Sequence, residues 1–88
     1  MKHVHEDFGH LRGGEIVEVS LNGSPANVQL VDTVNLERYR REELFHYVGG
    51  FYSESPVRLT VPRAGRWHLV IDLGGSRGEV RAVVRLLS

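Results

Sequence analysis

The chain has no cysteine, only three prolines, one tryptophan and one methionine, and no net charge, its 11 Lys and Arg balancing 11 Asp and Glu. Without cysteine there is no disulfide framework, no thiolate nucleophile and no Cys-ligated zinc, so a reducing cytoplasm is the simple expectation. Zero net charge argues against a domain that grips nucleic acid by charge alone, because such domains are strongly basic. No apolar run approaches the roughly 18 residues of a membrane-spanning helix. The polar start Met1-Lys2-His3-Val4-His5-Glu6-Asp7 has no signal-peptide core. At 88 residues the chain has room for one small domain, 1–88, with an expected stability of about 4–13 kcal/mol.

What is present is a repeated alternation of apolar and polar residues with period two, the signature of half-buried strands. Val17, Val19 and Leu21 alternate with Glu18 and Ser20 and run into Asn22-Gly23, a dipeptide suited to tight hairpins. Ala26, Val28 and Leu30 alternate in the next run, so 15–32 is predicted as a hairpin. Val57, Leu59 and Val61 precede the turn Pro62-Arg63-Ala64-Gly65. Trp67, Leu69, Ile71 and Leu73 then share one face, and Val80, Ala82, Val84 and Leu86 share another. These three runs are predicted as a meander over 57–87, with its second turn at Gly74-Gly75-Ser76-Arg77-Gly78. That glycine loop is not a phosphate cradle, because a strand and not a helix follows it. Further short strands are expected at 2–5 and near 45–48. Gly49-Gly50 marks a bulge or a close backbone approach.

Only Asn35–Leu44 carries a helical composition, with Asp32 or Asn35 as its cap, and one short helical turn is expected near 35–43. Six to seven short strands, each with one apolar face, bury those faces best as an all-β, antiparallel two-layer β-sandwich, with a small closed barrel as the alternative. Trp67 is the expected core anchor, its indole N–H needing a partner.

The strings Ser55–Pro62 (SPVRLTVP), Gly65–Gly75 (GRWHLVIDLGG) and Gly13–Asp32 (GGEIVEVSLNGSPANVQLVD), with His5–Gly14 (HEDFGHLRGG) and Tyr47–Gly50 (YVGG), resemble the bacterial domain-of-unknown-function family 1883 along essentially the whole chain. The resemblance implies an all-β sandwich and carries no catalytic residues, because the family's role is unassigned. A similar domain occurs joined to a TIR-type signalling domain in some longer bacterial proteins, which suits an accessory or recognition role; these 88 residues contain no such domain. Family members carry a glycine near 42 or 43, after the tyrosine matching Tyr39. Glu42-Glu43 stand there in this chain, so a differently shaped loop is expected. More distantly, a strand ending in Asp32, a polar loop, then Val61-Pro62, Gly65 and a further strand is similar to the sandwich of Golgi-dynamics and pre-peptidase domains.

Candidate site residues fall into three groups. His3 and His5, at i and i+2 on a strand, point to one side about 7 Å apart with Asp7 next on that side, a spacing that suits a divalent metal. It also opens a cupin-like pattern whose other ligands are missing. The alternative is an exposed polar edge strand, and no four-ligand structural zinc set is present. His68 and Asp72 share the outer face of the Trp67 strand, about 13 Å apart, which excludes a dyad between them. His68 is expected at the surface beside Val70, with cross-strand pairing to His5, Glu6 or Asp7 open to it. Phe45, Tyr47, Phe51 and Tyr52 form an aromatic group divided between core and ligand site.

Residues 1–54 carry a net charge of −4 (five Lys and Arg against nine acids), and residues 55–88 a net of +4 (six Arg against two acids). Arg58, Arg81 and Arg85 are expected as an outward basic stripe on adjacent strands, or as charges paired within the sandwich. The ligand-binding candidates are therefore His5, His68, Tyr47, Phe51, Tyr52, Arg58, Arg81 and Arg85. No cofactor, metal or catalytic residue is assigned, the metal alternative being His3, His5 and Asp7. No nucleophile elbow or triad can be placed, and a domain this small has little room for a deep pocket. The expected function is a non-enzymatic binding module with a protein partner or a second copy of itself. Association as a homodimer through edge strands, bringing acidic and Arg-rich patches together, is expected to weaken with salt.

Overall fold

The computed structural model describes residues 3–88. The predicted strand at 2–5 therefore begins on Lys2, outside the described residues, and the observed strand runs much further, as β1 (His3–Leu11). The chain continues as β2 (Ile16–Gly23), β3 (Ala26–Asp32), helix α1 (Thr33–Arg40), β4 (Val48–Tyr52), β5 (Val57–Thr60), β6 (Gly65–Asp72) and β7 (Val80–Leu87). The strands form two antiparallel sheets, a four-stranded one in the order β1-β6-β3-β4 and a three-stranded one in the order β5-β2-β7. The all-β sandwich is thus present with seven strands.

Between the sheets lie Leu11, Val17, Val19, Ala26, Val28, Leu30, Val57, Leu59, Val61, Trp67, Leu69 and Ile71, nearly all of them on the predicted inward positions. Trp67 is 3% exposed, and its indole N–H donates to the Arg63 carbonyl at 3.0 Å. Leu86 departs from the predicted alternation: it is 45% exposed although it pairs with the buried Val17, because β7 is an edge strand with no neighbour on its far side.

Both predicted chain reversals are corrected. Residues 15–32 are no hairpin, since β2 and β3 belong to different sheets. Asn22 and Gly23 continue the β2 ladder against Arg81 and Val80 of β7, and the chain crosses between sheets only at Ser24-Pro25. A Cβ at Gly23 would collide with the Glu79 carbonyl oxygen, so its backbone (φ 111°) makes a close approach rather than a two-residue turn. Nor is 57–87 a meander, because β5 and β7 flank β2 while β6 lies in the other sheet. The glycine loop 74–78 is a turn, but it joins two sheets. The strand expected near 45–48 is displaced to 48–52. There Gly49 presses so close to the Val28 carbonyl that a Cβ would not fit.

Helix α1 begins two residues before the expected 35–43. Asp32 caps it, its carboxylate accepting from the Asn35 amide at 2.9 Å. It ends in a Schellman arrangement: the Glu42 amide donates to Tyr39 O at 3.1 Å and the Glu43 amide to Arg38 O at 2.9 Å. Glu42 holds φ 58°, the left-handed conformation in which glycine is favoured. At this position Glu42 adopts the backbone that a glycine takes without strain. Leu36 packs on Val31 and Val70, with Tyr39 and Phe45 at the rim, so the helix closes the outer face of the four-stranded sheet.

Candidate functional site

The densest convergence of polar side chains lies on that helix-covered face, where alternation aims His3, His5 and Asp7 of β1 and His68 and Asp72 of β6 to the same side. The pairing sets His3 beside Asp72, His5 beside Val70 and Asp7 beside His68. A bulge between Asp7 and Gly9 follows, with the Gly9 amide donating to the Asp7 carboxylate at 2.8 Å. His68 is not the surface histidine expected. It is 4% exposed, because α1 covers the face on which it lies. Its Nδ1 stands 3.1 Å from Nε2 of His5 and its Nε2 stands 3.0 Å from the Thr33 hydroxyl, so both ring nitrogens are engaged. Burial lowers the His68 pKa, against the opposing pull of the Asp7 charge, and so favours the neutral ring.

Arg66 binds the Asp7 carboxylate with two guanidinium nitrogens. That hydrogen bond first, and then the Gly9 amide, hold the Asp7 pKa at about 2. At the far end of the same face, beside His3, Asp72 accepts from the Tyr39 hydroxyl (2.7 Å), the Asn27 amide group (2.9 Å) and the Gly74 amide (2.8 Å). Burial, and after it the Asp72 contact, raises the Tyr39 pKa, so Tyr39 remains a hydrogen-bond donor. His3 meets the Tyr39 ring edge-on at 5.4 Å between centroids. His68 and Asp72 are each satisfied by other partners, in keeping with the exclusion of a dyad between them.

Thr33, His68 and Asp7 have the connectivity of a nucleophile, a base and an orienting carboxylate. The geometry departs from that role. Asp7 lies 3.8 Å from His68 Nδ1 and is engaged by Arg66, while His5 occupies the orienting position. The same atoms bear on the metal alternative. Among the described residues no group of three or more His, Asp or Glu is arranged to hold an ion, and His3 lies with Tyr39 rather than with His5 and His68.

The remaining candidates do not join this cluster. Arg58 and Arg85 are not a stripe on adjacent strands. They flank β2 and both bind Glu18, at 3.0 and 3.3 Å, so the pairing alternative holds for them. Arg81 lines a cleft of about 300 Å³ at the open end of the sandwich with His3, Asp72 and Glu79. Tyr52 packs against the core. Tyr47, 49% exposed, borders a second cavity of about 220 Å³ with Asp32, His46, Arg63 and Trp67. There Arg63 lies over the Trp67 ring at 5.0 Å and pairs with Asp32 at 2.6 Å. Burial pulls the Asp32 pKa upward, but the Asn35 and Arg63 contacts outweigh it and hold the carboxyl low. Phe51 stands 63% exposed on the outer side of β4, and Leu44 in the preceding loop is 95% exposed.

Sequence reasoning missed Thr33 as a partner of His68, Tyr39 as a partner of Asp72 and Arg66 as a partner of Asp7. The signal was present in Val31 and Val70: an apolar residue on the outward positions of two central strands means that the outer face is covered too. It also missed Leu44, an apolar residue in a polar loop.

No curated protein and no solved structure matches the chain. A family model described as "Domain of unknown function (DUF1883)" matches residues 1–88. That span takes in both sheets, the covering helix and every side chain described above, and the chain belongs to this family.

Proposed function

We propose that the domain is a non-enzymatic binding module, an accessory or recognition domain that engages a protein along a strand edge rather than a substrate in a pocket. The observation carrying this reading is β4. It is an edge of the four-stranded sheet, its sequence Val-Gly-Gly-Phe-Tyr has no charge, Phe51 stands exposed on it, and Leu44 and Tyr47 stand exposed in the segment leading into it. Exposed apolar side chains beside free backbone donors and acceptors suit the addition of an extended peptide strand. Panning a random-peptide phage library on the immobilised domain tests the reading. Enrichment of extended apolar sequences is expected, and is lost in Phe51→Glu. Failure to enrich any sequence above an unrelated β-sandwich overturns recognition of foreign peptides.

One observation favours a second reading, a metal- or small-ligand-binding sandwich: the two ring nitrogens of His5 and His68 lie 3.1 Å apart, close to their spacing around one tetrahedral ion. Two imidazoles alone make a poor site, so titration calorimetry of tag-free protein with zinc or nickel is expected to show no micromolar binding. A tight site abolished by His5→Ala would establish this reading instead.

A further inference from the structure

The two sheets present four edges, and three carry features that discourage pairing with another strand. On β1, Glu6 lies opposite the core residue Leu69, placing a charge on the inward-facing side, and the strand is bulged after Asp7. The four-residue β5 lies between Pro56 and Pro62 and bears Arg58. On β7, Arg81 and Arg85 stand exposed on the outer face. β4 has no charge, no proline and no bulge; it is bonded only to β3.

We infer that the occupant of this edge is a second copy of β4, paired antiparallel about a two-fold axis at Gly50, so that two four-stranded sheets join into one of eight. The inference rests on the edge-recognition reading above and names its partner. The sequence around Gly50 is self-complementary in this register. Gly49 and Phe51 occupy the outer face, as their pairing with Gln29 and Asn27 shows, so Phe51 of each copy lies over Gly49 of the other, an aromatic ring against a position with no side chain. Val48 meets Tyr52 on the core side. A two-fold axis makes every one of these contacts twice. A one-residue slip would place Phe51 against Gly50 on the opposite face and lose both sets. A seam of five residues a side falls well below the roughly 20–30 residues a side of a standard stable interface, so the dimer is concentration-dependent.

Sedimentation of the 88-residue protein from micromolar to sub-millimolar concentration tests the inference, together with single-cysteine variants, which a cysteine-free chain makes unambiguous. The expected result is a mass rising from 9.9 kDa toward twice that value, abolished by Phe51→Glu. Gly50→Cys, at a position where a side chain meets only ordinary contacts, should cross-link to itself on mild oxidation far faster than Val83→Cys on exposed β7. A monomer at every concentration, a dimer indifferent to Phe51→Glu, or equal cross-linking of the two cysteine variants overturns it. A monomer whose β4 still selects displayed peptides would overturn the second copy as occupant and leave the edge-recognition reading standing.

Discussion

The Tyr39 hydroxyl donates to Oδ2 of Asp72 across 2.7 Å, fastening α1 to β6 at a carboxyl only 4% exposed. Tyr39→Phe removes one of three donors from a buried carboxyl while keeping the ring against Phe45 and His3. The expected loss is about 1–3 kcal/mol, the cost of leaving a buried polar group short of a partner. Urea denaturation measures it, and a loss below about 0.5 kcal/mol would show that water replaces the hydroxyl without penalty.

Trp67→Ala is expected to cost about 3–5 kcal/mol, a large part of the stability of a domain this size. The indole fills the space between the sheets, bonds the Arg63 carbonyl and carries the Arg63 guanidinium on its face. Denaturant midpoints of the two proteins decide it; a change under about 1 kcal/mol would place Trp67 outside the core.

Acid should weaken the fold in two stages. Because the folded His68 pKa lies below its ordinary 6.5, the unfolded chain takes up a proton that the native ring refuses. Stability is therefore full above 6.5 and falls as pH drops beneath it. Asp7, held at about 2 against an ordinary 3.8, adds a second decline as pH falls through that lower window. Urea midpoints across the pH range should show the first decline flattened in His68→Gln and the second flattened in Asp7→Asn. Identical slopes in all three proteins would exclude both residues as the cause.

Glu42→Gly should stabilise the domain by about 1 kcal/mol, since it removes a side chain from a left-handed backbone while keeping the Schellman hydrogen bonds. The gain is offset in part by the greater freedom of glycine in the unfolded chain. Thermal unfolding of the variant tests this; a lower melting temperature would mean that the Glu42 side chain contributes more than its backbone strain costs.

Much of the candidate cluster was legible without coordinates. The i, i+2 spacing of His3, His5 and Asp7 put them on one side of a strand, and His68 was open to pairing with His5 and Asp7. The burial of His68 and Asp72 was not legible, because it depends on α1, whose short, weakly apolar stretch carries little sign of where it packs. Pairing was the favoured expectation for Arg58 and Arg85, but their partner was not legible for a related reason: Glu18 is far from both in the chain and meets them only because β2 lies between β5 and β7.

Alternation alone set which face of each strand points inward, since side chains of an extended chain alternate whatever their neighbours. It therefore located Val17, Val28, Leu59, Trp67 and Ile71 in the core. It said nothing of which strand lies beside which. A hairpin and a crossing between sheets bury the same apolar set, so Asn22-Gly23 is compatible with either. Only the tertiary structure resolved that choice: β2 found its hydrogen bonds with β5 and β7, leaving β3 to pair with β6, and that exchange brought His68 and Asp72 beneath the helix that carries Thr33 and Tyr39.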